Sequence, residues 1–472
     1  MLKSMKKLFA ATLILSAFQA IAASPTAPLN AIRDHAMRSD YAYERMADLT
    51  DLVGPRLSGS PGAAAAVTQV ADAMRRLGAK VTLQPVMVPR WVRGEEKGEV
   101  VDYIGRPEGI TQKVVLTALG GSGATAPAGL VAPVVIIKNY EELEQRRADI
   151  KGKIVLFDPA FDQGQADRGH AGKAYEAAAT YRYTGPKRAA EYGAAAALVR
   201  SIGGANFRLP HTGSTGMDDK TRIPAAAISV EDALLIGRLA KRGPVTLKLI
   251  LTPQILPDAP SYNVIADLPG TDKASEIVIV SGHLDSWDLG TGAHDDAIGL
   301  STAMGVLESF TKLGLKPRRT VRLVAWMNEE NGSRGGKAYY EAFAKEMDRH
   351  FAAIESDGGA GRPFGFNAAV GLKTMEMFAP VQAALQPIGA GLARREDLLD
   401  TPDTRALENA GVPIFEPMLD SSSYFHYHHT AADTLDKVDP ENVRRHVAWM
   451  STLAWFLANT DEKIGRSPAS GK

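Results

Sequence analysis

Between residues 263 and 356 the chain alternates short apolar runs with segments of helical period. Strands are expected at 263–268, 277–282, 320–327 and 351–356, and helices at 296–313 and 335–345. Few folds accommodate that rhythm. It implies an α/β fold with a mostly parallel central sheet and helices on both faces. Open sheets of this kind take ligands in the crevice beyond the carboxyl ends of their strands, and the polar residues of this stretch gather at those ends.

The rest of the chain has a different texture. Residues 41–53 read as helical, a Gly/Pro/Ser turn runs from Gly54 to Gly62, and an alanine-rich helix closes at Gly78 before a strand at 81–88. From 113 to 251 short strands are expected at 114–119, 131–137, 153–157 and 193–199, with few helices, at 186–192 and 230–241. A chain of 472 residues exceeds the usual size of one domain, so a β-rich unit at 113–251 is read as inserted between the two parts, 23–112 and 252–465, of an α/β domain. The proline-bearing stretch 252–260 would mark the return, and 466–472 a loose tail.

Lys3, Lys6 and Lys7 precede an apolar run ending at Phe18, and Ala20-Ile21-Ala22 supplies a small-x-small pattern, so residues 1–22 read as a signal peptide. The run is shorter than the ~20 residues a spanning helix needs. The mature protein is therefore expected in the periplasm or the medium, with no membrane anchor after cleavage. Lys and Arg number 54 against 54 Asp and Glu, which gives no basic face for nucleic acid. Cysteine is absent, which excludes disulfides, thiol nucleophiles and thiolate metal ligands. Any metal would rest on histidine and carboxylate.

Such residues follow each expected strand. After 277–282 come His283 and Asp285, placed by alternation on one side, so that the carboxylate can orient the imidazole. His294, Asp295 and Asp296 open the next helix; Asp296 suits the N-cap, which leaves Asp295 to reach the crevice and bridge two cations. Glu329 and Glu330 follow the third strand, where one acid can bind metal while the other moves a proton. Glu355 and Asp357 end the fourth, before Gly358-Gly359. Last, His426, His428 and His429, three of ten histidines, fall within four positions ahead of Asp433. Histidine with carboxylate and no cysteine suits zinc, with cobalt or manganese able to substitute.

Taken together, His283-Leu284-Asp285-Ser286-Trp287-Asp288, Gly292-Ala293-His294-Asp295-Asp296, Asn328-Glu329-Glu330, Glu355-Ser356-Asp357-Gly358-Gly359 and His429-Thr430-Ala431-Ala432-Asp433-Thr434 resemble the M28 family of co-catalytic zinc aminopeptidases and carboxypeptidases. The resemblance implies a phosphorylase/hydrolase-like zinc-exopeptidase fold and two Zn2+ ions, one on His283, Asp295 and Asp357, the other on Asp295, Glu330 and His429. It further implies Glu329 as general base, Asp285 as the orienting acid, and small peptides or dipeptides as substrates. The segments 193–200 and 223–228 resemble the protease-associated domain that some members carry. His294 and Ala431-Ala432 depart from the family pattern and touch pocket shape only. Dipeptidase, carboxypeptidase and broad-specificity aminopeptidase readings all stay open at this point, as does a homodimer. A receptor-like scaffold and a mono-zinc acyltransferase of glutaminyl cyclase type are the readings from other classes.

Overall fold

The computed structural model describes residues 27–204, 206–399 and 401–466. The expected signal peptide at 1–22, and all but the first residue of the expected tail at 466–472, lie outside them. Two eight-stranded sheets organise the described chain.

The first sheet runs in the order Lys80–Val92, Gln254–Leu268, Arg319–Trp326, Lys273–His283, His350–Glu355, Ile414–Leu419, Pro363–Ala369, Leu392–Glu396. Its centre is parallel, from Arg319–Trp326 through Lys273–His283 and His350–Glu355 to Ile414–Leu419. Antiparallel pairs join each flank to that centre, although the outermost pair, Pro363–Ala369 with Leu392–Glu396, is again parallel, so the sheet is mixed where a mostly parallel one was expected. The reason is topological. Strand Lys80–Val92 leads toward the second sheet and Gln254–Leu268 returns from it, so the two form an out-and-back antiparallel pair. The return strand also occupies most of the stretch 252–260 expected as a boundary, from Gln254 on. Its prolines are tolerated because residues 254–260 pair on one side only, with Lys80–Val92.

Alternation decides which residues form the core. In Lys273–His283, Val278 and Val280 join one apolar cluster and Ile277 and Ile279 the other; in Arg319–Trp326, Val321, Leu323 and Ala325 oppose Val324 and Trp326. Helices Ile298–Lys312 and Pro440–Asn459 cover the first face, and Arg334–Phe343 and Arg405–Asn409 the second. Trp326 and Trp449 are among the largest side chains fully buried, and burial of a large apolar side chain stabilises by about 1.5–3 kcal/mol. The central strands are thereby held rigid, and their carboxyl ends become fixed points.

The second sheet runs Gln112–Val114, Glu96–Tyr103, Val245–Leu251, Leu130–Ile137, Ile154–Phe157, Ala196–Arg200, Ala225–Ile228, Leu116–Ala118. Strand Glu96–Tyr103, on the amino-terminal side of residue 113, belongs to it. Helices are more numerous here than expected: Tyr140–Gln145, Gln163–Asp167, Ala171–Tyr183, Gly185–Glu191 and Val230–Ala240. No helix among the described residues is long and apolar enough to cross a membrane.

Candidate metal centre

His283 is the last residue of its strand, and its Nδ1 meets the backbone carbonyl of Asp285 at 2.9 Å. The Asp285 carboxylate, expected to hold that ring, stands 3.9 Å from Nδ1 and is engaged elsewhere: Oδ1 accepts the N–H groups of Asn328 at 2.8 Å and Glu329 at 3.1 Å. What Asp285 positions directly is the turn carrying Glu329.

The other nitrogen of His283, Nε2, lies 2.9 Å from Asp295 Oδ1 and 3.7 Å from Asp357 Oδ1. Asp295 follows Gly292, whose left-handed backbone starts the wide turn preceding helix Ile298–Lys312. The next residue, Asp296, expected at the N-cap, stands one place before it, at Ala297, yet its carboxylate still serves the helix start: Oδ1 accepts the Gly299 N–H at 2.9 Å, while Oδ2 takes the His283 N–H at 3.0 Å. Strand end and helix start are thus tied by one side chain. Gly299 must be glycine for this approach, because a Cβ there would lie 1.9 Å from the Ser356 carbonyl oxygen.

On the far side of Asp295, Oδ2 lies 3.1 Å from His429 Nε2, which is itself 2.9 Å from Glu330 Oε2. Glu330 Oε1 accepts the Trp287 N–H at 3.0 Å, and His429 Nδ1 meets the Thr212 carbonyl at 3.3 Å. The structure therefore brings His283, Asp295, Asp357, Glu330 and His429 together around Asp295. Of the other histidines in that run, His428 lies beside the centre, with Nε2 3.3 Å from Asp295 Oδ2, whereas His426 turns to Gln163. His294 stacks near Tyr427, outside the cluster.

Electrostatics set these groups apart from ordinary surface acids. Burial, reinforced by the charges of Asp357 and Glu330, drives Glu329 well above the usual carboxylate range. Burial and the neighbouring Asp295 hold Glu330 at about 7. Burial opposes a charge on His283, but the carboxylates of Asp295 and Asp357 outweigh it and raise the ring's pKa well above normal. Acids packed this closely call for cations. Asp295 Oδ2 and Glu330 Oε2 are buried without a hydrogen bond of acceptable geometry, and ligand atoms of His283, Asp295 and Glu330, as of His283, Asp296 and Asp357, lie within 4.8 Å of one another. Two clusters of hard and borderline donors fit zinc.

A cavity of about 770 Å3 opens on this centre. Asp295, Glu329, Glu330, Asp357 and His429 line it, together with Tyr175, Arg182 and Tyr183 of the second sheet's helix Ala171–Tyr183. Three supporting residues escaped the sequence reading. Arg56, fully buried, donates to the carbonyls of Leu284, Thr291 and Gly292 and so clamps the loops flanking His283 and Asp295; its place in a Gly/Pro/Ser turn was the available signal. Arg182 continues the buried stripe Ala171, Ala174, Ala178 of its helix, an arginine where that spacing calls for a small apolar residue. His211, whose Nε2 lies 3.0 Å from His428 Nδ1, carried no signal.

The profile of peptidase family M28 matches residues 263–454. Bovine carboxypeptidase Q is 34% identical over 429 residues, 90% of this chain and 87% of its own length. The crystal structure of a peptidase M28 precursor from Shewanella amazonensis superposes with a TM-score of 0.88 at 36% identity, covering 94% of this chain and 98% of that one. A zinc aminopeptidase from Bacillus subtilis shares the fold, with a TM-score of 0.64 at 19% identity, over 90% of this chain and 97% of its own. With two clusters fit for zinc beside this cavity, the chain belongs to peptidase family M28 and is a zinc metallopeptidase closely related to carboxypeptidase Q.

Proposed function

We propose that the protein is an exported di-zinc exopeptidase that cleaves dipeptides or small peptides and recognises the free carboxyl terminus of its substrate. His283, Asp295 and Asp357 would hold one ion and Asp295, Glu330 and His429 the other. The bound ions supply Lewis acidity to the attacking water and the scissile carbonyl. Glu329, half-buried and lining the cavity, takes the proton from that water and returns it to the departing amine nitrogen. Its raised pKa suits it to hold the proton between the two transfers. Asp285 holds Glu329 in place through the two N–H groups of the turn.

The observation that carries the carboxyl-terminal reading is Arg182. It is 9% exposed, lines the cavity, and donates to Tyr175 Oη and the Thr212 carbonyl, while Nε has no hydrogen-bond partner. No carboxylate among the described residues forms an ion pair with it, so a buried guanidinium faces the substrate space uncompensated, which is costly until an anion arrives. An aminopeptidase reading draws on Glu355, which lines the same cavity and offers an acid to an ammonium group. We also infer that the second sheet is a protease-associated domain, the insertion read at 113–251 being extended on its amino-terminal side by strand Glu96–Tyr103, and that the protein acts in the periplasm or the medium.

The test is hydrolysis of a free dipeptide, its N-acetylated form and its C-amidated form, before chelation, after it and after zinc is restored, with about two zinc ions bound per chain. Cleavage of the free and N-acetylated peptides only is the expected result. Arg182→Met should then raise KM for them by roughly 10- to 100-fold, as loss of a charged hydrogen bond predicts. Cleavage of the C-amidated but not the N-acetylated peptide would replace this reading with the aminopeptidase.

A further inference from the structure

The register of the first sheet aligns four polar residues across neighbouring strands. Ala353 and Ile354 stand opposite Ile414 and Phe415, so the next step of that register brings Glu416 beside Glu355. Asn367 then pairs with Glu416 on one side and with Arg394 on the other. Alternation sends all four side chains to one face. Ala353, Ile414 and Ala369, each two residues from a member of the row, lie in the apolar cluster of that face, and Ala393, next to Arg394, packs on the opposite one. Where the cluster ends the row begins. Glu355, Glu416, Asn367 and Arg394 all line the cavity, and at about 4.8 Å per strand the row reaches roughly 14 Å from Glu355 to Arg394.

Which part of a substrate meets this row follows from the two ends of the cavity. Arg182 and His429 share the Thr212 carbonyl, at 3.2 and 3.3 Å, so the carboxyl-terminal anchor stands on the His429 side of the centre. Glu355, two residues before Asp357, stands on the other side. A peptide held at Arg182 with its scissile carbonyl over the centre therefore sends the residue that supplies that carbonyl toward the row. An ammonium held by Glu355, as the aminopeptidase reading has it, places the same residue there. The row is rich in acceptors. Asn367 is 7% exposed, and its Nδ2 donates to Glu416 Oε1 at 2.9 Å. That bond fixes the amide, since the reverse orientation would set an oxygen against a carboxylate, and it leaves Oδ1 buried with no partner among the described residues. A buried acceptor left unmet is costly until a donor reaches it. The guanidinium of the row, on Arg394, is engaged by Glu396 at 2.6 Å and stands at the exposed end. Met418, two residues past Glu416 and so on the same side of its strand, lines the cavity with apolar surface for an alkyl stem.

We propose that Glu416 and Asn367 form a side-chain subsite that selects lysine or arginine as the residue supplying the scissile carbonyl. The ammonium or guanidinium donates to the Asn367 amide oxygen and meets the charge of the Glu416 carboxylate, while the stem crosses Met418. Length is part of the selection. The two residues lie one to two strand spacings, roughly 5–10 Å, from Glu355, a span that lysine and arginine cover and that serine or asparagine does not. An acidic side chain is refused by the like charge of Glu416. The inference rests on the peptidase reading above and deepens it, and it holds whichever terminus is anchored.

The experiment measures kcat/KM of the full-length, zinc-loaded protein on lysyl-alanine, methionyl-alanine, Nε-acetyl-lysyl-alanine and glutamyl-alanine. Lysyl-alanine should exceed methionyl-alanine, which is of similar length and lacks the donor, by roughly 10- to 100-fold, the worth of a hydrogen bond to a charged group. The acetylated peptide should fall near methionyl-alanine, and glutamyl-alanine should be the slowest. Glu416→Gln, which keeps an acceptor for Asn367 Nδ2, should cut the lysyl-to-methionyl ratio about tenfold, as loss of the charge predicts, and Asn367→Leu should lower it as well. A preference for the methionyl peptide, equal rates for the lysyl and acetyl-lysyl peptides, or a ratio that survives Glu416→Gln would each overturn the proposal. So would a preference for the glutamyl peptide, which would assign the subsite to Arg394. The panel on the parent protein needs no variant and decides the matter if a variant does not fold. Calorimetry of L-lysine against L-norleucine reads the subsite without turnover: lysine should bind at least about tenfold tighter, Glu416→Gln should erase the difference, and equal binding to the parent would overturn the proposal. If no peptide is cleaved, the peptidase reading fails while the calorimetric comparison still decides the subsite, so the two failures are distinguishable.

Discussion

Asp285 offers the sharpest test of how this site is built, because sequence and structure give its carboxylate different tasks. If the carboxylate orients His283, its charge matters; if it anchors the turn of Asn328 and Glu329, what matters is an acceptor oxygen in that place. The distances favour the second, 2.8 and 3.1 Å to the two N–H groups against 3.9 Å to the ring. The turn needs the anchor. Asn328 adopts a left-handed backbone, φ 74°, and is otherwise tied by its side chain to Ser58 and the Arg334 N–H. Asp285→Ala orphans the buried Asn328 N–H, at about 1–3 kcal/mol, and the half-buried Glu329 N–H at less, so the loss of stability should be roughly 1–5 kcal/mol. Asp285→Asn keeps an oxygen at the same point and forfeits only charge assistance, about 1 kcal/mol per bond. Glu329 rides on the turn, and a displacement of about 1 Å at a reacting group costs on the order of 10²-fold in rate. The alanine variant should therefore lose at least that much in kcat/KM, while the asparagine variant stays within about tenfold of the parent. Urea unfolding, zinc content and dipeptide hydrolysis measured on both variants make the comparison. If the asparagine variant is folded and zinc-loaded but as slow as the alanine variant, the charge of Asp285 is what the site uses and the anchoring argument is refuted.

Glu329→Gln, which preserves shape, should retain zinc at the parent stoichiometry and lose roughly 10²- to 10⁴-fold in kcat, as removal of a general base predicts; near-parental activity with zinc in place would remove Glu329 from the mechanism. Glu355 should make stability fall as pH rises, because burial holds its pKa at about 7 against an ordinary 4.5 and the folded chain keeps a proton the unfolded chain has shed. Across that window the loss is about 1.4 kcal/mol per pH unit, some 3 kcal/mol in all. Parent and Glu355→Gln compared by urea unfolding should thus diverge steadily between about pH 5 and 7, and parallel curves would show that Glu355 is not so perturbed.

The site was legible where it depends on strand ends and illegible where it depends on contacts between the two sheets. His283, Glu329, Glu330, Glu355 and Asp357 end or follow three neighbouring parallel strands, Arg319–Trp326, Lys273–His283 and His350–Glu355. Parallel neighbours send their carboxyl ends to one edge, so a period-2 apolar run followed by an acid or a histidine already says where that side chain goes. The mixed order of the sheet is invisible to the same reasoning. Residues 263–268 look like any strand and 252–260 like a boundary, and the antiparallel partner at 80–92 follows only from the excursion of the chain between them. The helix Ala171–Tyr183 was missed because its buried stripe is alanine, too weak an apolar signal to mark a face, and Arg182 reads as a solvated charge until that stripe is seen to be covered. His211 is the extreme case. It meets His428, 217 positions away, through a single hydrogen bond across the two units, and no local pattern records a pairing of that span. The residues that hold metal in this reading are thus a property of one sheet, whereas the arginine that would hold the substrate's carboxyl terminus comes from the other. Selection on the terminus recognised should accordingly act on helix Ala171–Tyr183 while the strand ends stay fixed. Exchanging that helix for the one of a related peptidase of different preference should move KM and the choice of terminus without changing zinc stoichiometry, and loss of zinc in the exchange would show that the two sheets build one indivisible site.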